Sequence, residues 1–339
     1  MRYSESLNHS LHQLMKQDER VFVLGEDILD PYGGAFKITK GLSTGFPDRV
    51  LTTPISEAGI TGFAIGMAMR GFRPILEIMF GDFITLCADQ IVNGAAKFSL
   101  MYNGQVTVPL VIRTPMGGRK GYGPTHSQTL ETLFLNVPGL TIIAPSHFHN
   151  PGDLLQKAVL NEENLVLFIE NKLLYPLQLL QADKEGRVDD FFVKAIRNNY
   201  KYPTISLLPA RDIQPDVTIV AYGGMAPIVA KAMLNVFMQD EICAEVLIPS
   251  LIKPIPLLDI LPSLSESRRL IIAEEAVRSF GWGAELASQL YEDAFNILLT
   301  PIQRIGAKEF LIPSSKSLEE KILPQVSDIE ALIYKQLAQ

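Results

Sequence analysis

The sequence predicts an α/β protein with two domains. Short apolar runs rich in Val, Ile and Phe alternate with longer segments of helical periodicity, which favours parallel sheets covered by helices on both faces. This alternation stops in a polar, proline-bearing stretch at residues 179–212 and then starts again. The chain has 339 residues, 47% hydrophobic and 20% charged, which is enough for two ordinary domains with sizeable cores.

The first domain is predicted over residues 1–178. Two segments rich in small residues, 56–71 and 83–102, have the pattern of helices. Continuous apolar runs of strand length indicate strands that are buried on both faces. These predicted strands are VFVLG (21–25), RPILEIMF (73–80), VPLVIRT (108–114), LTIIAPS (140–146) and LVLFIE (165–170).

The second, smaller domain is predicted over residues 213–339, and residues 179–212 are predicted to connect the two. Its helices are predicted at APIVAKAMLNVFMQ (226–239), GAELASQLYEDAF (283–295) and VSDIEALIYKQLAQ (326–339). Its strands are predicted at DVTIVAYGG (216–224), AEVLIPS (244–250), RRLIIAEEA (268–276) and PIQRIGA (301–307). This alternation again indicates an α/β domain.

Composition restricts the partners. The formal net charge is −7 and no basic stripe is present, which argues against nucleic acids and anionic membranes. The first twenty residues lack the apolar core of a secretory signal, and no apolar run reaches membrane-spanning length. Cys87 and Cys243 lie far apart, which disfavours a disulfide framework or a thiolate metal site. We therefore expect a cytoplasmic protein.

Several turns and histidines are candidates for chemistry. The glycine-rich turns GGAF (33–36), GGRKGYG (117–123) and YGGMA (222–226) match neither a Walker loop nor a dinucleotide fingerprint, so we interpret them as turns. The SHFHN segment (146–150) has no supporting cysteine or acid, which favours a surface turn over a metal site. His126 follows a predicted strand, where functional groups collect in parallel sheets, and a functional role and an ordinary loop role both stay open.

Glu57 opens the otherwise apolar segment ISEAGITGFAIGMAMRG (55–71). Burying a lone carboxylate is costly unless it is paired or protonated. Near a helix start it would interact favourably with the helix dipole, which is one explanation. The other is that burial favours its protonated form, so that Glu57 holds or shares a proton at neutral pH. The residues alone leave both explanations open, since structural carboxylates are perturbed too.

Taken together, these segments resemble the beta subunit of the thiamine-diphosphate-dependent decarboxylating component of 2-oxoacid dehydrogenases. This family includes pyruvate, branched-chain 2-oxoacid and acetoin dehydrogenases. The resemblance covers nearly the whole chain and implies a pyrimidine-binding, transketolase-like domain followed by a transketolase C-terminal-like domain. The matching segments are VLGEDI (23–28), GGAFKITKGL (33–42), TPISEAGITGFAIGMAMRGFRPILEIMFGDF (53–83), DQIVNGAAK (89–97), VPLVIRTPMGG (108–118), THSQTLE (125–131), PGLTIIAPS (138–146), FIEN (168–171) and EEAVRSFGWGAELA (274–287).

The resemblance implies roles for single residues. Glu57 matches the glutamate that hydrogen-bonds the ring nitrogen of the aminopyrimidine, where a shared proton favours the tautomer that activates the cofactor. Phe83 matches the aromatic side chain that packs against the pyrimidine. His126 matches the histidine that stabilises or protonates intermediates and helps to transfer the acyl group. Ser127 and Gln128 are its expected neighbours, with Gln128 also contacting the cofactor.

The resemblance also implies metal ions and a partner. The diphosphate and Mg²⁺ site of the family lies in a GDG segment of the alpha subunit, and this chain contains no GDG. We therefore expect half a site here, completed by an alpha chain in an α2β2 heterotetramer. Some members also hold K⁺ through main-chain carbonyls, and the matching positions are Leu110, Val159, Leu160, Glu162 and Asn164.

The leading hypothesis is a subunit that decarboxylates a 2-oxo acid and passes the acyl unit to the lipoyl group of an acyltransferase. The stretch 248–256 lacks the arginine and acids common in the family, and Leu311 replaces a proline, so docking to a conventional complex stays open. This departure motivates one alternative, a split transketolase-like carboligase of a biosynthetic pathway. A second alternative is a diverged, non-catalytic partner subunit, which the joint presence of Glu57, Phe83 and His126 disfavours.

Overall fold

The computed structural model describes residues 1–180, 183, 185–197 and 199–338. The described residues form two compact units, each discontinuous in sequence. The first comprises Met1–Met116, Leu133–Ile143 and Asn150–Leu179; the second comprises Gly117–Thr132, Ala144–His149 and the described residues from Leu180 onward. The domain boundaries given above stay predictions.

The first unit is built from a parallel sheet and its helices. The bounds are α1 (Tyr3–Gln17), β1 (Val21–Gly25), α2 (Leu42–Gly45), β2 (Val50–Thr52), α3 (Glu57–Met69), β3 (Arg73–Glu77), α4 (Ala96–Met101), β4 (Val111–Met116), β5 (Thr141–Ile143), α5 (Pro151–Asn161) and β6 (Val166–Asn171). The strands follow the order β5-β6-β4-β3-β1-β2, and every neighbouring pair is parallel. All residues of β3, β4 and β6 are buried, as the continuous apolar runs predict.

The predicted helix at residues 83–102 is not one regular helix. The chain forms a 3-10 helix at Gly81–Cys87, a π-helix at Gln90–Ala95 and then the short α4. A side chain at Gly81 would force Met116 to shift, because a Cβ there would lie 2.3 Å from Cγ of Met116. The start of the segment is thus pressed against the end of β4. Such π-helical turns are frequent at functional sites.

The second unit has a mixed sheet. The bounds are β7 (Arg187–Val188), β8 (Phe191–Ile196), β9 (Thr204–Leu208), β10 (Val217–Ala221), α6 (Ala226–Asp240), β11 (Ala244–Pro249), β12 (Leu251–Lys253), α7 (Leu257–Ser267), β13 (Leu270–Val277), α8 (Trp282–Ala294), β14 (Gln303–Ala307), α9 (Lys316–Ile322) and α10 (Val326–Leu337). The sheet order is β14-β13-β10-β11-β9-β8-β7. Strands from β14 to β11 pair in parallel, and β9, β8 and β7 add as antiparallel strands.

The segment 179–212 differs from a simple linker, since it contains β7, β8 and β9. Its predicted span also includes residues 181, 182, 184 and 198, which lie outside the described residues. The antiparallel strands were missed because β7 is only two residues long and because polar, charged stretches that resemble a connection separate the strands. Among the described residues, no helix is both long and apolar enough to cross a membrane.

Candidate active site

Glu57 is the first residue of α3 and is only 7% exposed. Its main-chain carbonyl accepts a hydrogen bond from the Thr61 hydroxyl at 2.6 Å and one from Sγ of Cys87 at 3.6 Å. Cys87 belongs to the 3-10 helix Gly81–Cys87. The start of α3 is therefore held both by its own first turn and by this second element.

The carboxylate of Glu57 lies near that of Glu26, the residue that follows β1. Glu26 is buried, and its Oε1 atom has no hydrogen-bond partner among the described residues. Burial raises the pKa of Glu26, and the charges of Glu57 and then Asp27 raise it further. The hydrogen bonds described above for Glu57 involve its main-chain carbonyl. A buried carboxylate oxygen without a donor, close to a second buried acid, fits a ligand that brings an N–H group.

Glu26 was not among the residues that we predicted for the site. It lies within the matching segment VLGEDI, at the carboxyl end of a predicted strand. In parallel sheets that position collects functional groups. The signal was therefore present in the sequence, but only the fold brings Glu26 next to Glu57.

Phe83 lies on the 3-10 helix that contacts Glu57 and is half-buried. Its ring meets that of Phe80 edge to face, with centroids 5.9 Å apart. Phe80 in turn packs against Phe36 at 5.6 Å. The first unit thus places Glu57 and Phe83 on two elements in contact. Stacking of Phe83 on a pyrimidine stays a prediction.

His126, Ser127 and Gln128 lie on the loop 117–132, which belongs to the second unit. His126 is half-buried; its main-chain N–H donates to the carbonyl of Gly123 at 3.3 Å, and its Nδ1 lies 2.9 Å from the Thr125 hydroxyl. Ser127 is fully buried, and its hydroxyl has no partner among the described residues. The side-chain amide of Gln128 donates to the carbonyl of Pro124 at 3.1 Å.

The surface-turn interpretation of SHFHN is wrong. His147 and His149 are both buried, and burial lowers their pKa values to about 4 and about 3. Both imidazoles are therefore neutral at pH 7. His149 accepts a hydrogen bond from the main-chain N–H of Ser146 at 3.0 Å. Across the described residues, no group of three or more His, Cys, Asp or Glu side chains could hold a metal ion.

Two of the carbonyls matched to a potassium site already bind a cationic side chain. Nη1 of Arg73 donates to the carbonyl of Val159 at 2.8 Å and to that of Glu162 at 3.0 Å. The carbonyl of Leu110 accepts from the main-chain N–H of Val166 at 2.9 Å. A cation at these oxygens would be repelled by the guanidinium.

The stretch 248–256, where the sequence departs from the family's pattern, lies partly inside the protein. Ser250 is fully buried, and its hydroxyl donates to the carbonyl of Pro203 at 2.7 Å. Ser250 therefore replaces the family's arginine at a packed position rather than on an open surface. Leu311, in contrast, is exposed.

Comparison with known proteins identifies two families. Residues 1–178 match "Transketolase, pyrimidine binding domain", and residues 208–329 match "Transketolase, C-terminal domain". A solved structure titled "Split gene transketolase, inactive beta4 tetramer" has a TM-score of 0.74 and 19% identity, and the match covers 100% of this chain and 98% of that one. This likeness confirms the predicted α/β fold.

Curated relatives are similar to this chain in sequence along nearly its whole length. The chain is 36% identical over 330 residues to "Pyruvate dehydrogenase E1 component subunit beta-2, mitochondrial" of Oryza sativa subsp. japonica, covering 97% of this chain and 84% of the relative. It is 33% identical over 332 residues to "Pyruvate dehydrogenase E1 component subunit beta" of Rickettsia felis, covering 98% and 96%. The chain therefore belongs to the beta-subunit family of the pyruvate dehydrogenase E1 component, the thiamine-diphosphate-dependent component of a 2-oxoacid dehydrogenase.

Proposed function

We propose that this chain supplies the pyrimidine-binding half of a thiamine diphosphate site, with Glu57 as the residue that activates the cofactor. The observation that carries the proposal is the buried position of Glu57 at the start of α3, near the buried Glu26, whose Oε1 atom has no hydrogen-bond partner among the described residues. When bound, thiamine diphosphate supplies the carbanion chemistry that decarboxylates a 2-oxo acid. The residues present fit such a group.

The protein side of the mechanism follows from the two carboxylates. Burial and the negative charges of Glu57 and Asp27 raise the pKa of Glu26, which favours the protonated form of Glu26. Glu57 would hydrogen-bond a ring nitrogen of the pyrimidine, and Phe83 would hold the ring in place. His126 stabilises charge that develops on the substrate and donates a proton to it. Gln128, beside His126, is proposed to contact the cofactor.

The remaining parts belong to partners. We propose an alpha subunit that holds most of the diphosphate and Mg²⁺, in an α2β2 heterotetramer, because this chain has no GDG segment. The acceptor is proposed to be the lipoyl group of an acyltransferase, and the location the cytoplasm. The split transketolase shares the fold at 19% identity, which supports the fold and not a carboligase activity.

Potassium is the part of the proposal that the geometry supports least. The carbonyls of Val159 and Glu162 can each accept a second interaction, but a cation there would share them with Arg73. We therefore expect K⁺ to bind weakly at the set Leu110, Val159, Leu160, Glu162 and Asn164.

The test is a decarboxylation assay on the chain co-expressed with its alpha subunit, with thiamine diphosphate and Mg²⁺. Glu57→Gln should lower kcat by about 10²–10³-fold, because the amide cannot share a proton. The matched control is Glu285→Gln, since Glu285 also lies in the first turn of a helix of 13 residues but is exposed. The beta chain alone should be inactive. Full activity in Glu57→Gln would make Glu57 a residue that only favours the helix dipole, and the proposal would fail.

A further inference from the structure

The loop that carries His126 is fixed at its first end by two buried carboxylates. The main-chain N–H of Gly118 donates to Oε1 of Glu275 at 2.7 Å. Glu319 accepts from the main-chain N–H groups of Arg119 and, at 3.3 Å, Gly121. Hydrogen bonds from backbone amides to carboxylates are charge-assisted and stronger than neutral ones. This end of the loop is therefore firmly held within the second unit.

The other end of the loop is held by Glu131, which is 0% exposed. The hydroxyl of Tyr222 donates to Oε1 of Glu131. Tyr222 is itself buried, and its ring meets that of Trp282 edge to face with centroids 5.1 Å apart. Nε1 of Trp282 donates to the carbonyl of Ile252 at 3.0 Å. The group that holds Glu131 is thus fixed by packing.

The hydrogen bond between Tyr222 and Glu131 lies in an acidic environment. Burial raises the pKa of Glu131 to about 7; the Tyr222 hydrogen bond opposes this, and the Glu275 charge adds to it. Oε2 of Glu131 is buried without a partner among the described residues. A protonated Glu131 still accepts from Tyr222, so a glutamine is a close mimic of this form.

Glu274 is the second acid beside Glu131. Burial raises its pKa to about 8, and the Glu131 charge contributes in the same direction. The main-chain N–H of Gly283, at 3.1 Å from Oε1 of Glu274, and the charge of Arg304 act against this shift. The facing groups from β13 and β14 are therefore Glu274, Glu275 and Arg304, and they leave Glu131 without a basic partner of its own.

We propose that Glu131 and Tyr222 are positioning residues that hold the loop 117–132 so that His126 is presented in its reactive geometry. The proposal rests on the proposed function. Nδ1 of His126 contacts Thr125 of the same loop, so the orientation of the imidazole follows that of the loop. A misplacement of about 1 Å at a reacting group can lower a rate by about 10²-fold. Neither residue was among the site residues predicted from the sequence.

The experiment uses the complex with the alpha chain, thiamine diphosphate and Mg²⁺. Tyr222→Phe and Glu131→Ala should each lower kcat by about 10–100-fold, with KM for the 2-oxo acid within about threefold of wild type. Glu131→Gln should restore most of kcat, because its amide oxygen still accepts from Tyr222. Such rescue separates positioning from simple loss of packing.

Two control variants remove the same kinds of groups, a tyrosine hydroxyl and a buried acid, at positions away from the loop. Tyr334→Phe removes another tyrosine hydroxyl that donates to a carboxylate, that of Asp240. Glu245→Gln neutralises another buried acid of the second unit, one that accepts from Ser206 at 2.6 Å. Both should keep kcat within about twofold of wild type, since neither touches the loop.

Hydrogen exchange of residues 117–132 provides a second measurement that needs no activity. The loop should exchange faster in Tyr222→Phe and Glu131→Ala than in wild type or Glu131→Gln. If wild type does not decarboxylate 2-oxo acids, the proposed function fails, and this exchange pattern still decides whether Glu131 and Tyr222 hold the loop. If Tyr222→Phe does not assemble with the alpha chain, the comparison of Glu131→Ala with Glu131→Gln tests the proposal instead. Wild-type kcat in Glu131→Ala, or a lower kcat with unchanged loop exchange, would overturn the proposal.

Discussion

The first unit contains two groups of buried carboxylates that differ in their counter-charge. In one group, Arg113 lies between Glu77 and Glu170: its Nε and Nη2 atoms donate to Glu170 at 2.8 and 2.7 Å, and its Nη1 atom donates to Glu77. In the other group, Glu26 and Glu57 repel each other, and the charges that shift the pKa of Glu26 are both negative. Glu77 and Glu170 lie on β3 and β6, whereas Glu26 follows β1 and Glu57 begins α3. All four are buried, so burial alone does not distinguish the two groups.

We interpret the difference as one between a structural role and the functional role proposed for Glu57. A buried charge is tolerated when an opposite charge and hydrogen bonds compensate its desolvation, and Arg113 does this inside the chain, with its own pKa held above the ordinary value by Glu170 and Glu77. Tyr175 adds a hydrogen bond to Glu170 at 2.7 Å. The charges that act on Glu26, those of Glu57 and Asp27, are both negative, which is why we propose that a ligand completes this group. The predictions below test this distinction.

The largest effect is expected from breaking the compensated group. Arg113→Met leaves two buried carboxylates without a cation and should lower the free energy of unfolding by about 3–5 kcal/mol. Denaturant unfolding of the assembled protein measures this loss. The control is Arg20→Met, because Arg20 pairs with Asp18 at 2.6 Å but is 57% exposed, and a surface pair contributes far less. Equal losses in the two variants would contradict the comparison.

The uncompensated group should respond in the opposite way. Glu57→Gln removes the repulsion with Glu26, so the cofactor-free protein should keep or slightly gain stability while kcat falls by about 10²-fold or more. Thermal unfolding without thiamine diphosphate, run beside the kinetic assay, checks both halves. A loss of stability similar to that of Arg113→Met would show that Glu57 is structural.

The second unit offers an intermediate case, in which the charge of Arg304 only partly compensates the buried acids Glu131 and Glu274. Glu131 and Glu274 have folded-state pKa values of about 7 and about 8, above their ordinary value of 4.5. Between pH of about 4.5 and about 8, the folded chain therefore binds more protons than the unfolded chain. The free energy of unfolding falls as the pH rises through this range. Glu131→Gln should reduce this fall by on the order of 1 kcal/mol. Unfolding curves at pH 5 and pH 8 measure it, and an unchanged difference would refute the assignment.

The smallest effect is expected at the carbonyls near Arg73. Because its guanidinium already binds the carbonyls of Val159 and Glu162, replacing Na⁺ with K⁺ should raise Tm by less than about 2 °C, which corresponds to less than about 1 kcal/mol. Differential scanning calorimetry at constant ionic strength makes the comparison. A larger rise that is specific to K⁺ would favour the potassium site implied by the resemblance.

Local pattern was sufficient for most of the fold and for naming the site candidates Glu57, Phe83 and His126, whose roles stay predictions. The apolar runs of β1, β3, β4 and β6 could be found because strands buried on both faces have no polar period. The antiparallel strands in 179–212 were missed, since the polar and charged stretches between them resemble a connection. The buried state of His147 and His149 was also missed, because a short polar motif does not indicate which residues pack around it.

The sequence by itself determined the α/β class, the family resemblance and the candidates Glu57, Phe83 and His126, because these depend on residue type and spacing along the chain. Only the tertiary structure decided which acids are neighbours: Glu26 with Glu57, Glu131 with Tyr222 and Glu274, and Arg113 with Glu77 and Glu170. The physical reason is that a carboxylate's role depends on desolvation and on the charges within a few ångströms of it. Those neighbours come from distant parts of the chain.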